Sequence, residues 1–291
     1  MNRIWIALVF GSTVALGVGA LPPEAGVMTG PTSVPATQPA ATQASSQNAT
    51  TTIAPAAVAP EALALLKMLQ ARDETLKDFS ARVKSEAYDV RLDETQSETG
   101  TLAYVRSGTN RKFALRLDGF LVDGQPQGKR DRAVAFDGRW LVDQDNLRKQ
   151  YTKTEVVPPD QVVNPMRVGG PLPIPLGQDP DEILRDFTVT VDAAGGAAMK
   201  WERPLQKLDL VPLVPESFRL RKLEMWIDAE LQLPVRLRVT ALDKKATLWA
   251  LEKVVVNTGK VAWVDMPVPE GKEWTVTIQP MGKREEVGGK R

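Results

Sequence analysis

Carboxylates are the side chains of this sequence that could do acid–base chemistry. The sequence contains no histidine and no cysteine. Their absence removes the usual general base, the Ser-His-Asp triad, the commonest ligand for transition metals and any disulfide. Closely spaced acidic residues occur in three groups: Asp143 with Asp145; Asp179 with Asp181 and Glu182; and Asp228 with Glu230. Each group lies at a predicted turn or helix start, where carboxylates commonly accept backbone hydrogen bonds. We therefore expect no enzymatic activity, no metal site and no cofactor, and a hydrolase or lyase would need an acid pair that these turns do not suggest.

One arginine interrupts an otherwise apolar strand face. In residues 100–106, Leu102, Tyr104 and Arg106 have the same parity, so they point to one side of a predicted strand. A cation on an apolar face is costly to bury unless a partner meets its charge. Arg106 is therefore a candidate contact to a lid or a ligand. The alternative is a sheet-edge arginine whose stem packs while its head reaches water.

The elements that position Arg106 are predicted to be mostly strands. A helix begins at Pro60-Glu61, with charged residues Lys67, Arg72, Asp73 and Glu74 predicted on its solvent side. Its apolar side is expected to lie on a sheet and carries these leucines: Leu63, Leu66, Leu69 and Leu76. Alternating apolar patterns predict strands over residues 79–87, 100–106, 111–117, 132–136 and 139–142, and again over residues 187–191, 208–213, 220–227, 233–240, 246–256 and 274–278.

Consecutive strands without intervening helices predict an antiparallel sheet. Asp137-Gly138 is a strong hairpin signal. Residues 233–239 show the clearest alternation and predict Leu233, Val235, Leu237 and Val239 facing inward. We predict a mainly β fold with helices: an unclosed antiparallel barrel of about eleven strands with a helical or loop lid.

A proline-rich segment, residues 156–179, interrupts the strand pattern. It combines six prolines with scattered valine, methionine, leucine and isoleucine. A loop this long and apolar is typical of a lid or binding loop, so we predict that it covers part of the sheet. Asp179-Pro180-Asp181-Glu182 then predicts a short helix that begins with a capping box.

The N-terminal residues of the sequence predict secretion. Residues 1–20 resemble a cleavable signal peptide, with Asn2-Arg3, an apolar stretch and the small-residue site Val18-Gly19-Ala20. An uncleaved membrane anchor is the alternative. Residues 21–60 form a Pro/Ala/Thr linker predicted to be disordered, residues 61–282 the folded domain and residues 283–291 a charged tail. The mature chain is expected to be a soluble periplasmic monomer.

Charge and side-chain pattern restrict the partners. Thirty-seven basic and 36 acidic residues give a net charge of +1, which argues against nucleic-acid binding. Inward positions are numerous enough to line a lipid cavity, although periodicity cannot distinguish a hollow barrel from a filled one. The predicted lipid-binding site consists of an apolar wall and Arg106. The wall comprises Leu102, Tyr104, Phe113, Leu115, Leu117, Phe136 and Met225.

The chain resembles the LolA-type family of periplasmic lipoprotein carriers over roughly residues 61–281. The resemblance rests on the order and spacing of four stretches: residues 76–83, residues 100–106 with 112–116, residues 136–143 with 149–151, and residues 223–236 with 256–257 and 267–271. It implies an unclosed eleven-stranded barrel with an apolar interior and a helical lid. The family's lid-latching arginine corresponds to Arg106. Ser107 replaces the usual proline, and the lid region is proline-rich here.

The resemblance implies a non-enzymatic chaperone that carries acyl chains of lipoproteins, or of other lipids, towards the outer membrane. Its partners would be an inner-membrane donor complex and an outer-membrane acceptor. The alternative function is a periplasmic sensor module that detects lipids or lipoproteins in envelope-stress signalling. Such sensors usually carry a second domain, and the sequence pattern predicts none.

Overall fold

The structure, a computed structural model, describes residues 59–89, 92–159, 161–168, 174–198, 200–261, 263 and 265–281. The predicted signal peptide, residues 21–58 of the predicted linker and the charged tail lie outside these residues. Within the described part of the chain, no helix is long and apolar enough to cross a membrane.

Twelve strands and four helices make up the described part. The helices are α1 Pro60–Thr75, α2 Pro180–Asp186, α3 Ala193–Ala197 and α4 Pro215–Phe218. The strands are β1 Asp78–Asp89, β2 Glu94–Ser107, β3 Asn110–Val122, β4 Gln125–Phe136, β5 Trp140–Asp145, β6 Gln150–Glu155, β7 Phe187–Val191, β8 Leu205–Pro212, β9 Leu220–Asp228, β10 Leu233–Ala241, β11 Ala246–Val256 and β12 Thr275–Gln279.

All described strands belong to one sheet, in the order β12-β6-β5-β4-β3-β2-β1-β11-β10-β9-β8-β7. Strands β7 and β12 lie at its two edges, so the described sheet is not closed. The predicted class, an unclosed and mainly antiparallel β fold with a helical and loop cover, is confirmed. One strand more than the expected number is present: β6 was not among the predicted strands, and it pairs with β12 in parallel.

The concave face of the sheet is covered by α1 and by the proline-rich loop. From α1, Leu65, Leu66 and Leu69 are buried in the main core cluster. The loop contributes further buried apolar side chains: Val157, Met166, Val168, Ile174 and Leu176. The prediction that this segment covers part of the sheet is therefore confirmed for its described residues.

A second, smaller cluster forms apart from the main core. It contains Leu205 of β8, Trp226 of β9 and Val235 of β10. Val235 was predicted to face inward together with Leu233 and Leu237, but these two leucines belong to the main core. The register between β10 and β9 shifts between Pro234 and Arg236, which turns Val235 to the other cluster.

Candidate functional site

The seven predicted wall residues all lie in the main core cluster. Leu102 and Tyr104 are on β2, Phe136 is on β4 and Met225 is on β9. Phe113, Leu115 and Leu117 are on β3. None of the seven side chains is more than 4% exposed.

Six of the seven form one continuous patch on neighbouring strands. Tyr104 is directly opposite Phe113, and Phe113 is directly opposite Phe136. The Phe113 and Phe136 rings stack with centroids 6.2 Å apart, and Tyr104 stacks on Phe79 at 5.3 Å. Such pairs stabilise a sheet beyond the area they bury. Met225 lies on β9, in the other half of the sheet.

This apolar wall is occupied by the protein's own side chains. The leucines of α1 and the apolar residues of the proline-rich loop pack into the same cluster as the wall. A ligand that uses the wall must therefore displace α1, the loop or both. The cover consists mainly of α1 and the loop, with Ile183 of α2 and Phe218 of α4 in the same cluster, so its displacement would leave the hydrogen-bonded sheet intact.

Arg106 joins the sheet to α1. Its Nη1 donates a hydrogen bond to the backbone carbonyl of Asp73 and lies 3.4 Å from the Asp73 Oδ2. Its Nε donates to the carbonyl of Gly108 at 3.0 Å. The charge of Arg106 is thus met by a helix carbonyl and a helix carboxylate, and its side chain is 23% exposed.

Two further side chains of the sheet contact the same carboxylate. Arg111 donates from Nε to the Asp73 Oδ1 at 3.2 Å and from Nη2 to Oδ2. The Tyr104 hydroxyl donates to Oδ1 at 3.4 Å. Burial, followed by the nearby Asp73 charge, raises the pKa of Tyr104, so the phenol stays protonated and able to donate. The hydrogen bond to Asp73 raises the pKa of Arg111.

The proline-rich loop reaches the same carboxylate through Gly177. This glycine has φ +67°, and a Cβ at its position would lie 2.5 Å from the Asp73 Oδ2. Its N–H donates to the carbonyl of Leu69 on α1 at 3.3 Å. The helix, the loop and the sheet therefore meet at one point. We call Asp73, Tyr104, Arg106, Arg111 and Gly177 the Asp73 cluster.

The predicted solvent position of Asp73 is wrong. The side chain is 3% exposed and lies on the buried side of α1, in line with Leu66 and Leu69. A carboxylate can be buried there because arginine donors from the sheet neutralise it. The helical spacing of residues 66, 69 and 73 already placed Asp73 on the buried side of the helix. The two arginines that neutralise it come from other elements, and periodicity within the helix does not reveal them.

A second set of polar contacts fixes the C-terminal end of α1. The Asn257 side chain accepts a hydrogen bond from the Lys77 N–H at 2.7 Å and donates to the carbonyl of Thr75 at 2.9 Å. The Asp78 carboxylate accepts from the backbone N–H groups of Thr258 and Gly259 at 3.1 and 2.9 Å. The segment after β11 thus holds the helix end against β1.

We expect Asn257→Ala to lower the free energy of unfolding by about 2 kcal/mol, because it removes two hydrogen bonds and places alanine at a positive φ of 53°. Asn257→Gly removes the same hydrogen bonds without the backbone strain, so it should cost less. Urea unfolding of both variants measures the two contributions. Wild-type stability in both variants would contradict this account of the helix end.

The acidic groups singled out in the sequence have structural partners. Asp143 accepts two hydrogen bonds from Arg132, at 2.9 and 2.6 Å. Asp228 accepts from Arg203 and from the N–H groups of the turn that follows it. Hydrogen bonds to backbone N–H groups are also accepted by Asp145 and Asp179. Among the described residues, no group of three or more acidic side chains is arranged to hold a metal ion.

Comparisons with known proteins give weak structural likenesses. No family model and no curated protein matches the sequence. An outer membrane lipoprotein-sorting protein domain from Vibrio parahaemolyticus is 12% identical over 68% of this chain and 93% of its own length, with a TM-score of 0.35. A LolA superfamily protein from Nitrosomonas europaea is 9% identical over 71% of this chain and 94% of its own, with a TM-score of 0.31. The MucA/MucB complex of Pseudomonas aeruginosa gives 15% identity, 75% and 63% coverage and a TM-score of 0.39.

Proposed function

We propose that this protein is a non-enzymatic periplasmic carrier that binds acyl chains of lipoproteins or other lipids against the concave face of its sheet. The apolar wall would hold the chains while α1 and the proline-rich loop move aside. In the cell, the carrier would accept cargo from an inner-membrane donor and deliver it to an acceptor at the outer membrane. Arg106 and the seven wall residues would form the lipid-binding site.

The observation that carries the proposal is the nature of the cover. A stable two-layer β protein packs one sheet against another or against several long helices. Here the wall shares its cluster with α1, the proline-rich loop and two side chains of the short helices α2 and α4. At the border of this cover, α1 is attached to the sheet through the buried carboxylate of Asp73, and the loop is attached to α1 through Gly177, which packs against that carboxylate. Polar contacts at the edge of the cover fix one closed position. The apolar contact between the cover and the wall is less specific, so another apolar partner can replace the cover.

The energetics support exchange between the cover and a lipid. Burial of an acyl chain yields about 0.8 kcal/mol per methylene, so a chain of ordinary length can offset the leucine contacts that α1 loses. Leu65, Leu66 and Leu69 would then become exposed unless they contact the bound chains. Binding and opening are therefore coupled, and a partner that favours the closed cover would promote release.

Mass spectrometry of the organic extract of protein purified from its own periplasm tests the proposal. We expect acyl lipid or lipoprotein in amounts close to stoichiometric. An extract free of acyl compounds, together with no saturable binding of a fluorescent fatty acid, would overturn the carrier function. Regulation of a partner protein by lipid, without delivery to an acceptor membrane, would indicate the sensor function instead.

Detaching the cover from the wall should preserve binding. Leu66 is 1% exposed, and Leu66→Asp places an unpaired charge in the contact between α1 and the sheet, which costs several kcal/mol. Because the sheet's own hydrogen bonds are untouched, we expect α1 to lose protection in hydrogen exchange while the strands keep theirs. Fluorescent fatty-acid affinity should be equal to wild type or higher.

Lys67→Asp, at the exposed neighbouring position, is the matched control and should behave as wild type. Loss of protection in the strands of Leu66→Asp would show that α1 is part of an indivisible core rather than a cover.

A further inference from the structure

Strand β12 forms one edge of the sheet and presents free backbone groups. Its neighbour on one side is β6, and no described strand pairs with it on the other side. The Thr275 N–H donates to the carbonyl of Lys149 at 2.8 Å, so alternate residues from Thr275 onward turn their backbone groups towards β6. The N–H and C=O groups of the residues between them, Val276 and Ile278, therefore point away from the sheet.

The described residues of β12 lack the features that usually protect a sheet edge. Natural edge strands are blocked by charged side chains, proline, bulges or a covering element. Residues 274–281 include no charged residue, and their one proline, Pro280, follows the strand. The register against β6 has no shift, and all five residues of β12 are exposed, with Val276 at 40% and Ile278 at 51%. This edge is therefore open to pairing with another strand.

The sequence of β12 is complementary to itself in antiparallel pairing. When two copies of the strand overlap fully, they pair about Thr277, and Val276 of one copy lies opposite Ile278 of the other. These are the residues with free N–H and C=O groups, so each such pair can exchange both of its backbone hydrogen bonds. The same register brings the exposed valine and isoleucine side chains together and sets one Thr277 opposite the other, and both kinds of cross-strand pair are favourable. No like charges meet, because the strand carries none.

We propose that β12 is a docking strand for a second copy of this chain, and that the two copies form a dimer with one continuous sheet. The two-fold axis passes between the two Thr277 residues, so the dimer uses the free edge of β12 in both copies and is closed. Two five-residue strands make a small interface, so the association is expected to be reversible and weak. The proposal does not depend on lipid binding, and it differs from the monomer expected from the sequence.

Disulfide cross-linking of the full chain tests the pairing register. The sequence contains no cysteine, so one introduced cysteine reports on one position. In the proposed register the two Thr277 residues form a non-hydrogen-bonded pair with Cα atoms about 4.5 Å apart, which is within disulfide range. We therefore expect Thr277→Cys to give a covalent dimer on mild oxidation.

Thr275→Cys is the matched control for this cross-link. Thr275 lies opposite Gln279 of the other copy, so the two Thr275 residues are about 14 Å apart, too far for a disulfide. We expect this variant to stay monomeric under the same oxidation. Equal cross-linking of the two variants, or no cross-linking of Thr277→Cys, would overturn the proposed register.

Analytical ultracentrifugation of the protein without introduced cysteines measures the association itself. We expect the mass of the wild type to approach that of a dimer as its concentration rises. Ile278→Lys sets a charge against Val276 of the other copy and should weaken association at least about tenfold. Val255→Lys is the control, because Val255 is 47% exposed but lies on β11, which is paired on both sides, and it should associate as wild type does.

Val276→Pro provides a second variant that acts through the backbone. It removes an N–H that points away from the sheet and leaves the hydrogen bonds between β12 and β6 in place, so it should also weaken association. A wild type that stays monomeric at about 1 mM would overturn the proposal, whether or not a strand of another protein pairs with this edge. Wild-type association of both edge variants would overturn it as well.

Discussion

Replacing Asp73 with alanine is expected to lower the free energy of unfolding by about 3 kcal/mol. Removing one partner of a buried ion pair leaves an uncompensated charge, with typical costs of about 3–5 kcal/mol. Here the substitution would leave both Arg106 and Arg111 without their carboxylate. The side chain of Arg106 is 23% exposed and that of Arg111 is 15% exposed, so water can partly solvate both charges. The lower end of that range of costs therefore applies.

The loss should concentrate in the cover of the sheet. We expect amides of α1 and of the loop around Gly177 to exchange faster in Asp73→Ala, because both segments contact the carboxylate. Glu74→Ala, at the next and exposed residue of α1, is the control and should change stability by less than about 0.5 kcal/mol. Equal stabilities of the two variants would show that the Asp73 cluster does not hold the cover.

Replacing Arg106 with leucine is expected to slow release of cargo about tenfold while preserving the fold. Asp73 retains its two hydrogen bonds from Arg111, so no buried charge is left unpaired. The closed cover loses the hydrogen bonds from Arg106 to the helix. Because the closed cover and the cargo compete for the same wall, weakening the closed state by about 1.4 kcal/mol tightens cargo binding about tenfold.

Uptake and release must be measured separately for this variant. A fluorescent fatty acid reports uptake, and its movement from the loaded protein to acceptor vesicles reports release. Arg82→Leu is the control, since Arg82 on β1 forms an exposed ion pair with Asp118 at 3.0 Å and lies between the buried Ala81 and Val83, on the opposite face of the strand. Wild-type uptake and release in Arg106→Leu would make Arg106 a surface arginine with no part in binding.

Much of the fold follows from local patterns in the sequence. Alternating apolar residues with period two determine which face of β2 and β3 is buried, because successive strand side chains point to opposite sides. Asp137-Gly138 produces the hairpin between β4 and β5, with Gly138 at φ +109°. Leucines at helical spacing predict α1 and its contact with the sheet. Each of these signals lies within one element, so a single sequence contains it.

The candidate site depends on contacts between distant elements, and these were decided by the tertiary structure. Asp73 on α1, Arg111 on β3 and Gly177 in the loop are separated by tens of residues, yet they meet at one carboxylate. The sequence suggested Arg106 because a charged side chain on the apolar face of a strand requires a partner. Periodicity could not identify that partner. Likewise, Val235 has the parity of an inward residue, and the shift beside Pro234 reversed its side. Pairing register and long-range charge neutralisation arise only when the strands are assembled, so no local pattern specifies them.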